Sequence, residues 1–206
     1  MKGLYLNALQ ELLQPGIARR GNSELKVRVS GQRVKLWCHA SDLDVLIVKL
    51  DDIPGAGLAQ QNRLFPLLNP TQADATRCCD CMPFCQRDPE RGGDLFVLLA
   101  ELKQGGAGAG SQLRNGCLLA RWLLSVASLH RPEVPQPARV FFRGLVFSAR
   151  KDRPKPNTGR SLIRYPEPDA FIPGLRVVHL PDKTDTGFAI EPFLNDCGDA
   201  PWLLGP

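Results

Sequence analysis

The sequence predicts an α/β domain in which a mixed central sheet is flanked by helices. Leu95–Ala100 is an unbroken apolar run, the mark of a central strand covered on both faces. Ser111–Leu129 is a helical stretch in which leucines, Trp122 and Val126 cover most of the circumference, with only Arg114 and Arg121 charged. Val140–Ser148, rich in β-branched and aromatic residues, reads as the strand that follows it.

The remaining elements are read in chain order. Lys2–Leu13 spaces Leu4, Leu6, Leu9, Leu12 and Leu13 by mixed three- and four-residue steps and ends at Pro15-Gly16, which predicts a short amphipathic helix carrying Glu11. Leu25–Val29 and Val34–Trp37 alternate apolar and basic residues around Ser30-Gly31, a hairpin with one basic face. Val45–Leu50 reads as a buried strand, and Asp51–Pro70, punctuated by proline and glycine, as a long irregular connection. Thr76–Met82 is a short strand candidate, and Pro83–Gly93 a polar turn-rich segment. The glycine turn Gly105–Gly110 opens the long helix, and shorter strands are expected at Arg176–Leu180 and around Phe188–Ile190. Twelve of the 18 prolines lie after residue 130, so the tail is expected to be ordered loop and edge strand. A single domain spans 1–206, with its core over about 76–150, an N-terminal helix and hairpin within 1–50, and a proline-rich basic extension at 151–206.

The 206 residues are 43% hydrophobic and carry a net charge of +5, which excludes a disordered chain and allows a sizeable core. Seven cysteines, four of them within eight residues, make a poor disulfide framework and imply reduced thiols in the cytoplasm. The N-terminus lacks the apolar core of an export signal, and no stretch has the length and apolarity to cross a bilayer. Charge is uneven: Arg139–Arg164 holds eight basic residues against Asp152 alone, a window of +7. A local basic surface that can hold phosphates follows, with Arg150, Lys151, Arg153 and Lys155 as its nearest candidates to the core.

The chemistry-bearing constellation is Asp80 on a short strand, followed by Glu101-Leu102-Lys103 at the end of the buried strand. Alternation puts Glu101 and Lys103 on one face. If the two strands pair as a hairpin, Asp80 lies beside Glu101, and the two carboxylates form an oxygen site suited to Mg²⁺. Lys103 can then orient or deprotonate an attacking water and offset charge on a phosphate. Read as Arg77-Cys78-Cys79-Asp80-Cys81 followed by Leu98-Leu99-Ala100-Glu101-Leu102-Lys103, a glycine turn and Gln112 on a helix, this arrangement resembles the PD-(D/E)xK superfamily of restriction-endonuclease-like nucleases. The resemblance implies a nuclease that hydrolyses nucleic-acid phosphodiesters with Mg²⁺ or Mn²⁺ held by Asp80 and Glu101. Lys103 would be catalytic and Gln112 would assist positioning, and Glu11 or Glu24 is a candidate additional acid. It also favours DNA over RNA as substrate while leaving both open, and suggests a role in defence against foreign DNA or in repair, with a homodimer or partner protein to supply specificity.

Other motifs leave alternatives open. Gly106-x-Gly108-x-Gly110 can cradle a phosphate at a helix N-terminus, admit nucleic acid as a flexible turn, or simply link strand to helix. Cys78, Cys79, Cys81 and Cys85 can offer thiolates to zinc, but strand alternation sets Cys79 and Cys81 opposite Asp80, where they read as small buried hydrophobes. No Gly-x-Ser-x-Gly or histidine grouping suggests acyl transfer. The rivals to a nuclease are a catalytically inactive nuclease-like scaffold and a nucleic-acid-binding subunit of a larger complex.

Overall fold

A computed structural model describes residues 3–21, 24–29, 32–37, 43–50, 77–103, 109–148, 169–181, 188–196 and 201–203. Its elements in chain order are α1 (Leu4–Leu12), β1 (Ala18–Arg20), β2 (Glu24–Val29), β3 (Gln32–Trp37), β4 (Leu43–Lys49), β5 (Cys81–Arg87), β6 (Leu95–Lys103), α2 (Ala109–His130), β7 (Val140–Ser148), β8 (Leu175–Pro181) and β9 (Phe188–Ala189). Two short 3-10 turns lie at Pro89–Arg91 and Glu191–Phe193.

Six strands form a mixed sheet in the order β1-β4-β5-β6-β7-β8. β1, β4, β5 and β6 are antiparallel in succession, whereas β6, β7 and β8 run parallel. The chain reverses through Asp88 and Gly92, both in the left-handed region, between β5 and β6, and crosses over through α2 between β6 and β7. β6 is flanked on both sides and its residues from Leu95 to Leu102 are all buried, as its apolar run requires.

Alternation along the strands divides the core in two. Leu46, Val48, Met82, Phe84, Leu95, Val97, Leu99, Phe142 and Val146 face α1 and α2. Val45, Ile47, Cys81, Cys85, Phe96, Leu98, Leu145 and Phe147 face the other way and pack with Leu36, Ile190, Phe193 and Leu194. Both described helices therefore lie on one face. The second face is covered by a three-stranded sheet in the order β2-β3-β9, to which Leu36 belongs, together with the Glu191–Phe193 turn.

Several expectations need adjustment. The strand before β6 runs Cys81–Arg87, not Thr76–Met82, so the segment expected to turn from Pro83 is strand as far as Arg87. Proline normally interrupts a central strand by withholding its N–H. Here the β5–β6 register pairs Cys81 with Ala100 and Phe84 with Val97, and passes over Met82 and Pro83. The hairpin forms with Lys26 opposite Lys35 and Arg28 opposite Arg33, but it belongs to the second sheet. In α1, Leu4 and Leu12 are exposed, and Tyr5, Leu6, Ala8 and Leu9 are buried instead. In α2 burial is one-sided, leaving Leu118, Trp122 and Leu129 exposed. The connection expected at Asp51–Pro70 and most of the glycine turn lie outside the described residues.

α2 sits close to the sheet at two glycines. A Cβ on Gly144 of β7 would lie 2.9 Å from Leu113 Cδ1 and 3.0 Å from Val177 Cγ2. A Cβ on Gly116 of α2 would lie 2.6 Å from Cys79 Sγ and 3.4 Å from Leu99 Cδ2. Gly144→Ala and Gly116→Ala are therefore expected to destabilise the protein by about 1–3 kcal/mol each through overpacking, read in urea unfolding. Cys79→Ala in the Gly116→Ala background should restore part of the loss, and Cys79→Ala in the Gly144→Ala background should not.

Candidate active site

The site is built where β6 ends beneath the first turns of α2. Asp80 stands one residue before β5, its N–H donating to the Ala100 carbonyl at 3.0 Å and its Oδ2 accepting the Leu102 N–H at 2.7 Å. Glu101 is buried on the helix-facing side of β6, and the Lys103 ammonium, partly exposed, lies 2.9 Å from its Oε1. Lys103 Nζ also donates to Gln112 Oε1 from α2. Gln112 Nε2 in turn donates to the Cys78 carbonyl at 3.3 Å, and Asn115 Nδ2, one turn on, donates to the Arg77 carbonyl at 2.7 Å. Thus Asp80, Glu101, Lys103 and Gln112 come together, linked through two strand ends and one helix.

Asp80 is 8% exposed. Burial lifts its carboxyl to about 6, against the opposing pull of the Leu102 N–H and the Lys103 charge. Its Oδ1 makes no hydrogen bond among the described residues. Two carboxylates are the donor set that Mg²⁺ accepts while keeping several waters. The chemistry of this set fits such an ion, and Asp80 and Glu101 are the residues that would hold it. Among the described residues there is no group of three or more His, Cys, Asp or Glu able to hold a metal.

The other candidates lie elsewhere. Glu11, exposed on α1, pairs with Arg131 at 3.1 Å just past the far end of α2, so it does not join Gln112 and Lys103. Glu24 begins β2 in the second sheet, which covers the face opposite Glu101. Arg150, Lys151, Arg153 and Lys155 lie outside the described residues. Two members of the basic window have partners within the protein, Arg143 from a buried position and Arg139 from an exposed one. Arg143 is fully buried and donates to the Phe142 and Asn195 carbonyls at 2.9 and 2.5 Å, and Arg139 pairs with Asp94 at 2.6 Å.

The cysteines divide between the two faces. Cys81 and Cys85 belong to the cluster under the second sheet, whereas Cys78 and Cys79 belong to the cluster under the helices. Cys79 thus departs from its expected position opposite Asp80, because it precedes the strand and escapes its alternation. The Cys78 and Cys79 sulfurs are 3.9 Å apart, and their contact together with burial pushes the Cys79 thiol well above its ordinary value. Sequence reasoning missed three contributors: the Leu102 N–H, the Cys78 carbonyl and Asn115. Backbone groups carry no residue signature, but Asn115 one helical turn from Gln112 is a readable spacing.

The raised Asp80 carboxyl fixes a pH dependence. A group bound more tightly to its proton when folded contributes stability that is complete below about pH 4 and is lost as pH rises through about 6. Asp80→Asn keeps an acceptor for the Leu102 N–H and has no charge to bury. It is expected to be more stable than the wild type at pH 8 by about 2–3 kcal/mol, with the gap closing toward pH 4. Denaturant unfolding of both proteins at the two pH values checks this; a gap independent of pH would contradict it.

Comparison with protein-family models, with curated proteins and with solved structures finds no match for the chain.

Proposed function

We propose that the protein is a metal-dependent nuclease that hydrolyses nucleic-acid phosphodiesters. The observation that carries this reading is the Lys103 ammonium held between Glu101 and Gln112 beside the buried Asp80 carboxylate. Asp80, Glu101 and Lys103 are the acids and the base that the sequence pattern places at strand ends, and Gln112 is the helix residue that the resemblance implies. The order of an antiparallel pair, a crossover helix and a parallel strand around them agrees with the resemblance to restriction-endonuclease-like enzymes.

The roles combine the resemblance with this arrangement. Asp80 and Glu101 would hold the ion, which when bound would polarise the phosphodiester and favour ionisation of a water. Lys103, kept in place by Gln112, orients the attacking water or takes its proton and meets charge on the phosphate. Gln112 and Asn115 tie the Arg77–Cys78 backbone to α2 and so position Asp80. Arg150, Lys151, Arg153 and Lys155 would hold the phosphate backbone by charge. A second reading, an inactive scaffold subunit, is favoured by the exposed Leu118, Trp122 and Leu129 on α2.

The test is cleavage of single- and double-stranded DNA and RNA with Mg²⁺ or Mn²⁺ by the wild type, Glu101→Ala and Lys103→Ala, each shown to be folded. Wild-type cleavage is expected, reduced by about 100-fold or more in each variant. Equal cleavage by all three proteins would reject the site. Binding without cleavage by the wild type would favour the scaffold.

A further inference from the structure

We propose that Phe171 is a stacking platform for an unpaired base of the strand that this site engages, an inference that rests on the nuclease reading. Phe171 lies in the turn before β8 and is 73% exposed. One face of its ring is covered by the Arg114 guanidinium, 4.0 Å from the centroid, and no second group stacks on the ring among the described residues.

The ring is held firmly. Arg114 Nε and Nη2 grip the Asp169 carboxylate at 3.0–3.1 Å. The same carboxylate accepts the N–H groups of Phe171 and Ile172 at 2.9 and 3.0 Å, fixing the turn that carries the ring. A platform already ordered loses little entropy when a base settles on it.

Charge selects a nucleic-acid strand as the occupant. The chain leading into this turn, from Arg150 to Pro168, carries Arg150, Lys151, Arg153, Lys155, Arg160 and Arg164 against Asp152 and Glu167, so phosphates are attracted to the connection that presents the ring. Location agrees. Arg114 follows Gln112 by two residues, about 3 Å along the axis of α2, and the two leave the helix on opposite flanks. A strand crossing the first turns of α2 meets Lys103 and Gln112 on one side and Phe171 on the other.

The test is equilibrium binding, in chelator so that nothing is cut, of fluorescein-labelled 20-mers of thymidine, of uridine and of abasic deoxyribose phosphate. Phe171→Ala should bind the base-bearing strands about tenfold more weakly than the wild type and the abasic strand equally well. Phe171→Trp should keep wild-type affinity and show emission quenching on the base-bearing strands only. Equal affinity of Phe171→Ala and wild type, or equal loss on the abasic strand, overturns the platform and leaves the nuclease reading standing. Failure of the wild type to bind any of the strands also overturns the platform, and the nuclease reading is then judged by the cleavage assay alone.

Discussion

The close seating of α2 on the sheet is the constraint on which the site depends. Gly116 lets the helix descend onto Cys79 and Leu99, and Gly144 lets Leu113 descend onto β7 beside Val177. Only at that depth does Gln112 reach both Lys103 and the Cys78 carbonyl, and only then does Asn115 reach Arg77. Packing without side-chain volume is thus what turns a helix–sheet contact into a polar network. The Asp80 carboxylate is positioned from two directions, by the strand through the Leu102 N–H and by the helix through the segment that precedes it.

Burial of Asp80 gives the network an energetic asymmetry. An ionised carboxylate at 8% exposure loses most of its hydration and recovers part through one backbone N–H and the field of Lys103. Functional sites commonly carry such a cost, because the groups that chemistry requires are not those that packing would select. Glu101 is compensated differently, by a direct ion pair with a partly exposed Lys103.

Much of this was legible in the sequence where a single period ruled. The bounds of β6, α2 and β7 follow from an apolar run, a 3.6-residue pattern and a β-branched run; Asp80, Glu101 and Lys103 are legible by spacing along those elements, and Gln112 only through the resemblance. Legibility failed where a distant partner decided. Pro83 reads locally as a strand breaker, yet β5 continues through it because the ladder to β6 skips it while pairing with β4 continues. The side chain of Arg143 reads as a surface charge, yet it is buried because Asn195, far along the chain, supplies a carbonyl to it. The hairpin was visible, but its membership of a second sheet depends on β9, more than 150 residues away.

That last pairing has a consequence for how the chain is assembled. β4, β5, β6 and β7 pair in succession within residues 43–148, and α2 packs on β6, β7 and α1, so they can fold while later residues are still being synthesised. β3 cannot acquire β9, nor Val140 its bridge to Trp202, until residues 188–202 have emerged. Until then the face that carries Phe96, Phe141 and Phe147 has, among the described residues, only the β2–β3 hairpin available as cover and lacks Ile190, Phe193 and Leu194. A nascent chain that stops short of residue 188 can therefore build the helix-covered half of the core before the opposite half.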